Sequence, residues 1–493
     1  MLLNSKEVGL FDLIYIIYSS KVVKKKLLVD SSYKDEENLC RRWIIFVSIG
    51  AQKVLHALSV PMAMFGSAIE MGLNILSTNG NFFNLVLNFI RGKVVIPERG
   101  SASFKSVIAN LEWRVRLDPS IKHGDPRYNA ALSIMASKIS YENQPFIQNV
   151  LTHNWKVRSL GFGSRSRSWL WRSGLSSSPG LGPCLGVDWG WGLNSGSGLD
   201  YQNKATTQAF IMRDKGEDHD TIVVAFRGTK PFDADAWSSD IDISWYEIKG
   251  VGKIHGGFMK ALGLQKSKGF PKEVGFEKNK PFAYYEIRNK VKKLLEENDK
   301  AKLIVTGHSL GGALAAVFTA ILSYHDEKWL LQRLEGVYTF GQPRVGDQTF
   351  CQFMEDKLVE HDIHYFRFVY GYDLVPRLPY DDDSLMFKHF GTCVYSNMHY
   401  LAKVVDEEPN KNYFSPVKVI PMMVNALGEL VRSFTLPLWK GNEYKEGSLM
   451  RFMRIVGLLI PGIPAHCPQD YVNATRLITS PPHFLLPPKD KSQ

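Results

Sequence analysis

A serine between two glycines is the residue whose setting points most directly to chemistry. Residues 302–306 (KLIVT) have the pattern of a buried strand, residues 313–325 that of a helix, and Ser309 lies between them in the sequence GHSLGG. A serine on such a sharp strand–turn–helix junction needs small neighbours, which Gly307 and Gly311 provide. The pattern predicts a nucleophile at the carboxyl edge of a sheet, backed by a helix N-terminus that favours a developing oxyanion.

The residue before the nucleophile is also titratable but is expected to have another role. His308 is adjacent in sequence to Ser309. Its side chain should point away from the serine, because neighbouring side chains on an extended strand face opposite ways. We therefore expect His308 to pack or to form a hydrogen bond, and the base to come from elsewhere.

The elements that must position this serine alternate between strand and helix. Strands are predicted at 204–214, 220–229, 336–340 and 364–370, and an amphipathic helix at 282–298. Strand–helix–strand spacing of this kind indicates an α/β fold with a mostly parallel central sheet flanked by helices and right-handed crossovers.

Five segments, one of them around Ser309, resemble the lipase class 3 family of α/β-hydrolases. They occur in the family's order across roughly residues 200–400: IVVAFRGT, HGGF (255–258), VTGHSLGGALA, TFGQPRVGD (339–347) and YDLVPRLP (372–379). The match is closest to the plant oil-body triacylglycerol lipases, whose C-terminal region resembles 387–395 and 464–473 here. The resemblance implies an α/β-hydrolase fold, a serine esterase activity and an apolar N-terminal module.

The acid and the base should follow the serine in the order Ser, Asp, His. Asp373 comes directly after the predicted strand 364–370, at the sheet edge where an orienting carboxylate belongs, and the family pattern also has its aspartate there. Asp347 and the acidic run Asp381–Asp383 are rivals. For the base we favour His466, which lies in a loop and matches the family's late histidine followed by a tyrosine.

Other histidines stay open as candidates for the base. His389 is the runner-up, although it falls in a strand-like run and could be packed. His399 lies in a polar turn. His483 lies in the proline-rich tail.

Two backbone donors are needed for the oxyanion. One should be the N–H of Leu310, directly after the nucleophile, and the resemblance assigns the other to Thr229 in the loop that follows TIVVAF (221–226). The resemblance also implies a lid between Thr229 and His255. Trp237, Ile241 and Ile243 give that stretch an apolar face among aspartates, although an ordinary surface loop would look similar.

Composition narrows the class of protein. Of 493 residues, 44% are hydrophobic and 22% charged, and 60 Lys and Arg against 49 Asp and Glu give a formal charge of +11. A basic chain favours anionic surfaces, but the cations are dispersed and no nucleic-acid-binding motif accompanies them. The five cysteines are widely scattered, which fits a reducing compartment and argues against a cysteine metal-binding motif. We expect no cofactor, no metal and no nucleic acid.

The first part of the chain is apolar and free of charge over long runs. Uncharged stretches occupy 54–69 and 71–90, the first holding Pro61 and the second interrupted by Asn79–Asn81. Neither resembles a clean spanning helix of ~20 apolar residues. A hairpin or amphipathic pair embedded in one leaflet fits better, with basic flanks suited to anionic headgroups. Helices that cover the main domain, or one spanning helix, remain alternatives.

These patterns divide the chain into three parts. Residues 1–100 form the apolar, basic-edged lipid-associating module, 101–480 the hydrolase domain, and 481–493 a Pro- and Lys-rich tail. Within the domain, 161–200 is rich in Gly, Ser and Trp without periodicity, which is typical of a disordered insert.

Together the sequence predicts a lipase that cleaves triacylglycerol on a lipid droplet or on the cytosolic face of a membrane. A phospholipase or galactolipase is the alternative reaction, since the fold accepts either substrate. A non-catalytic lipid-droplet scaffold is the alternative of another class, and it would require a broken triad.

Overall fold

The computed structural model describes residues 2–3, 9–18, 29–30, 39–156, 158–164, 208–264, 283–381, 386–411, 413 and 415–478. Residues 161–164 of the predicted disordered insert instead belong to a strand, Arg158–Ser164, and the prediction is wrong there. The rest of the insert (165–200), the predicted tail 481–493 with His483, and Asp382 and Asp383 lie outside the described residues. The division of the chain into three parts stays a prediction.

The helices begin and end as follows: α1 (Leu10–Tyr18), α2 (Leu39–Thr78), α3 (Phe82–Ile90), α4 (Val107–Leu111), α5 (Tyr128–Ile139), α6 (Gln144–Asn149), α7 (Ala234–Ile241), α8 (Gly256–Ala261), α9 (Ala283–Glu296), α10 (Leu310–Tyr324), α11 (Lys328–Leu331), α12 (Gln348–Glu360), α13 (Val419–Lys440), α14 (Ser448–Val456) and α15 (Pro468–Leu477). The strands are β1 (Leu2–Leu3), β2 (Val29–Asp30), β3 (Arg158–Ser164), β4 (Gln208–Lys215), β5 (Asp220–Phe226), β6 (Trp245–Ile248), β7 (Gly252–His255), β8 (Lys302–His308), β9 (Leu334–Phe340), β10 (His364–Tyr370), β11 (Thr392–Ser396) and β12 (Ala402–Val405).

The central sheet has eight strands within the described residues, in the order β12-β11-β10-β9-β8-β5-β4-β3. Neighbours from β5 through β8, β9 and β10 to β11 run parallel, while β3, β4 and β12 add antiparallel edges. Parallel neighbours place their carboxyl ends at one edge of the sheet. The predicted mostly parallel α/β sheet is confirmed.

The two faces of the sheet are covered by two hydrophobic cores. Along β5, every residue is buried, and successive side chains alternate between the cores: Ile222 and Val224 face one, Val223 and Ala225 the other. This period of two is what a strand buried on both faces requires. Helices α9 and α10 cover the first face, and α5 and α15 the second. The sheet is therefore a rigid middle layer.

Helix α2 is longer than either uncharged stretch of the sequence. It continues through Pro61 and ends only before Asn79 and Gly80, after which α3 begins. A proline removes one backbone hydrogen bond, and here packing on both sides of it holds the helix together: Ile45 and Ile49 are fully buried, and Asn74 bonds the backbone of Lys105.

Two helical stretches are long and apolar enough to cross a membrane by length and composition alone. They are Arg42–Thr78, which lies within α2, and Pro416–Lys440, which contains α13.

Candidate active site

Ser309 lies at the turn between β8 and α10, as the sequence predicts. Its φ of 59° is in the left-handed region, which a non-glycine residue rarely adopts. The flanking glycines make the turn possible: a Cβ on Gly307 would lie 2.1 Å from the carbonyl of Gly311, and one on Gly311 would lie 2.2 Å from the carbonyl oxygen of Phe226. This tight turn places the Ser309 hydroxyl at the carboxyl edge of the sheet.

Folding brings Ser309, His466 and Asp373 together. The Nε2 atom of His466 lies 2.8 Å from Ser309 Oγ, and its Nδ1 lies 2.8 Å and 3.0 Å from the two carboxylate oxygens of Asp373. A carboxylate only accepts, so Nδ1 carries the proton and Nε2 is left to accept from the serine hydroxyl. This is the hydrogen-bond chain that a serine nucleophile requires.

The aspartate of this chain is fully buried and held by three donors. Besides His466, the backbone N–H of Val375 donates to Asp373 Oδ1 over 2.9 Å, and the hydroxyl of Tyr471 donates to Oδ2. Sequence reasoning noted a tyrosine after the late histidine but gave it no role. The signal that could have found it is its place in the first turns of α15, the helix that follows the histidine.

His308 bonds to the site without facing its serine. Its Nε2 donates to the backbone carbonyl of His466 over 2.8 Å, and its Nδ1 lies 2.9 Å from the hydroxyl of Tyr141. Burial, and next the nearby His466, hold the pKa of His308 well below its usual value. A neutral ring with its proton on Nε2 satisfies both partners, so His308 fixes the backbone of the loop that carries His466.

Of the predicted oxyanion donors, one directly follows the serine and the other lies in the loop after β5, the strand that neighbours β8. Leu310 is the first residue of α10, where a backbone N–H has no partner within the helix. Thr229 is buried in the loop after β5, and its hydroxyl donates to Asp240 Oδ2 over 2.8 Å. Burial raises the pKa of Asp240 to about 7. Sequence reasoning missed this carboxyl.

The stretch predicted to form a lid contains α7. Trp237 is half-buried on this helix, and its indole donates to the carbonyl of Pro231 over 3.1 Å. Ile241 ends α7, and its carbonyl accepts from the hydroxyl of Ser48 in α2 over 2.8 Å. A Cβ on Gly66 of α2 would lie 2.5 Å from Phe232, just before α7. The long N-terminal helix therefore lies directly over the lid candidate.

The rival acids and histidines have other partners. Asp347 caps α12 by accepting from Phe350 N–H, and Asp381 pairs with Lys388 and Lys411. The side chain of His389 is buried, with Nε2 2.7 Å from the carbonyl oxygen of Pro376, and His399 is exposed in its turn. None of these four lies in the hydrogen-bond chain of Ser309.

A mostly parallel sheet with a serine on a strand-to-helix turn at its carboxyl edge defines an α/β-hydrolase. Residues 223–383 match the family described as lipase (class 3). Together with the similarity over most of the chain given next, this match shows that the chain belongs to the lipase class 3 family and is a lipase.

The full-length similarity is to plant enzymes. The chain is 38% identical to triacylglycerol lipase OBL1 of Nicotiana tabacum over 88% of this chain and 83% of that protein. It is likewise 38% identical to triacylglycerol lipase OBL1 of Arabidopsis thaliana, over 90% of this chain and 86% of that protein. A fungal lipase, from Rhizomucor miehei, is 31% identical over 35% of this chain and 41% of its own length.

Proposed function

We propose that this lipase hydrolyses triacylglycerol at a lipid surface, with Ser309 as nucleophile, His466 as base and Asp373 as orienting acid. The observation that carries the proposal is the hydrogen-bond chain through these three side chains, with 2.8 Å from Ser309 to His466 and 2.8 Å from His466 to Asp373. The similarity to proteins named triacylglycerol lipases over most of their length supports the substrate class.

The reaction follows from this chain in two acyl transfers. Ser309 Oγ attacks the ester carbonyl carbon while its proton passes to His466 Nε2, and the N–H groups of Leu310 and Thr229 bind the oxyanion. The tetrahedral intermediate collapses, His466 returns the proton to the leaving alcohol oxygen, and an acyl-serine ester remains. Water then loses a proton to His466 as it attacks the acyl carbon, and the second tetrahedral intermediate collapses to release the fatty acid while His466 returns the proton to Ser309 Oγ. Asp373 stabilises the imidazolium in both halves.

The proposed location is the surface of a lipid droplet or a membrane, on its cytosolic face. Helix α3 supports this, because none of its residues is buried and Phe82, Phe83 and Phe89 are all largely exposed. An apolar helix left uncovered by its own protein fits a lipid surface. The basic charge of +11 fits anionic headgroups.

The test uses the full-length protein on a triolein emulsion and, in parallel, on phosphatidylcholine vesicles. We expect release of fatty acid from triolein, labelling by a fluorophosphonate probe, and loss of both in Ser309→Ala, which should still float with the droplets. Faster turnover of the vesicles would favour the phospholipase alternative. A wild-type protein that floats with droplets but neither turns over nor labels would be a scaffold, and unchanged turnover in Ser309→Ala would refute the assignment of the nucleophile.

A further inference from the structure

The outer side of α13 carries an unbroken apolar stripe. Its members recur at alternating spacings of four and three residues, so they lie along one face of the helix. They are between 53% and 81% exposed: Ile420, Val424, Leu427, Val431, Phe434 and Leu438. We call this set the α13 stripe.

The charged residues of the same helix point into the protein. Between Lys418 and Lys440 the charged side chains are those of Glu429 and Arg432. Glu429 is buried 3.0 Å from Arg454 of α14, and Arg432 is paired at 2.7 Å with Asp470 of α15. Helix α13 is thus inverted relative to an ordinary surface helix, with its ions inside and its apolar face outside.

These inner ion pairs fix α13 to the candidate active site. Arg454 also bonds Asp470, which lies at the residue before Tyr471, the donor to Asp373. Asn425 and Glu429 lie beside Gly371 at the end of β10, two positions before Asp373. A helix whose inner face is bound by buried ion pairs cannot leave the domain to span a membrane without exposing those charges to hydrocarbon. The stripe must therefore act from the surface of the domain.

The apolar surface continues from α13 to the loop that carries the base. On α14, Arg451 stacks 4.4 Å over the ring of Phe434, and Phe452 beside it is 58% exposed. The segment after α14 leaves Leu459 84% exposed and then leads to His466.

We propose that the α13 stripe, with the exposed end of α14, docks the enzyme onto its lipid surface beside the active site, as an element separate from the N-terminal module. The proposal rests on the proposed function in that it takes the substrate to be presented at a lipid surface.

Two observations favour lipid over a second copy of the chain. The stripe has the spacing of a coiled-coil seam, but such seams are flanked by charged side chains. The outer face of α13 carries no charged side chain between its ends at Lys418 and Lys440, because Glu429 and Arg432 point inward. At those ends Lys418 and Lys440 are both exposed. Cations at the rim of an apolar face suit anionic headgroups.

The experiment compares Val424→Glu and Leu427→Glu with Val359→Glu in the full-length protein. Val359 is a matched control because it is an exposed valine, at 83%, on the surface helix α12. The readout is the ratio of the hydrolysis rate on triolein emulsion to that on soluble p-nitrophenyl butyrate, with the mass in solution measured alongside. We expect the ratio to fall about tenfold in each stripe variant, because one apolar contact with lipid is replaced by a charge, and to stay at the wild-type value in Val359→Glu.

A ratio in the stripe variants equal to that of Val359→Glu would overturn the proposal while leaving the proposed lipase reaction intact. An unchanged ratio together with conversion of a dimer to a monomer would overturn it in favour of a second copy. If the wild type cleaves the soluble ester but not triolein, the triacylglycerol assignment fails, and the same ratio measured on phosphatidylcholine vesicles decides the role of the stripe.

Discussion

Tyr471 and His466 share one oxygen atom of Asp373. His466 Nδ1 lies 2.8 Å from Oδ2, and the hydroxyl of Tyr471 donates to that same oxygen. Burial, and then the adjacent Asp373, raise the pKa of Tyr471 well above its ordinary value, so the phenol keeps its proton at every working pH. The tyrosine thereby holds the carboxylate in place for the histidine.

The first prediction is that Tyr471→Phe lowers kcat about tenfold with little change in KM, because a hydrogen bond to a charged group contributes roughly 1.5–3 kcal/mol. With one donor lost, Asp373 becomes a stronger acceptor for the imidazole, and the acid limb of the kcat/KM profile should move to higher pH. Rates on a soluble ester across pH measure both effects.

Tyr128→Phe is the matched control for this change. Its hydroxyl also donates to a carboxylate, that of Asp214, over 2.7 Å, but away from the candidate site. A pH profile shifted equally in both variants would show that Tyr471 has no special relation to the histidine.

The second prediction separates the histidines. His466→Ala should lower kcat by about a thousandfold or more, because the serine loses its base. His399→Ala should retain wild-type activity, since His399 is exposed in a turn. The measurement is single-turnover acylation by p-nitrophenyl butyrate. Near-normal acylation in His466→Ala would return His389 to consideration.

The third prediction concerns the turn that holds the nucleophile. In Gly311→Ala the new Cβ would lie 2.2 Å from the backbone oxygen of Phe226, which cannot move without disturbing β5. We expect a loss of about 1–3 kcal/mol in the free energy of unfolding and slower fluorophosphonate labelling. Gly72→Ala, on a helix with no atom within 4 Å of the new Cβ, should instead be neutral or slightly stabilising. Similar thermal shifts in both variants would contradict this picture of the turn.

The fourth prediction is a pH dependence at Asp240. Its pKa rises on folding from 3.8 to about 7, so the folded state favours the neutral carboxyl. The stability that the fold gains from the neutral Asp240 carboxyl is complete below the unfolded pKa of 3.8. It is lost as the pH rises from there to the folded pKa of about 7, and it is absent above that value. Asp240→Asn mimics the neutral form, whose oxygen can still accept from Thr229. The variant should therefore gain stability over the wild type as the pH rises to about 8.

Urea unfolding of the two proteins at several pH values tests this. The difference in the free energy of unfolding between variant and wild type should grow by about 2 kcal/mol from about pH 5 to about pH 8. A constant difference would mean that Asp240 is already ionised in the fold throughout this range.

The sheet could be predicted from the sequence because its strands carry local signals. The apolar run of β8, Gly307 and Gly311 identify the turn at Ser309 without any knowledge of distant residues. The order rule and the resemblance extended this to Asp373 and His466, which the structure brings within hydrogen-bonding distance of one another. Their catalytic roles remain predictions.

Other features could not be predicted because they depend on partners far along the chain. The apolar pattern of α13 suggests a helix, but the inward direction of Glu429 becomes visible only once Arg454 lies beneath it. The continuity of α2 through Pro61 has a related cause, since the packing that holds this helix together involves residues well before and after the proline. The hydrogen bond between Thr229 and Asp240 likewise could not be predicted, because it forms only when α7, which carries Asp240, is in place.

The position of α2 over α7 changes what a shortened enzyme would be. Deleting the N-terminal module for expression would remove one proposed lipid contact, but it would also remove Ser48, the donor to the Ile241 carbonyl, and uncover Phe232. Such a fragment would have an uncovered lid candidate as well as one proposed lipid-binding element fewer. An activity gained or lost on shortening would then report access to Ser309 as much as attachment to oil. Ser48→Ala in the intact chain would weaken the contact between α2 and α7 while keeping the N-terminal module.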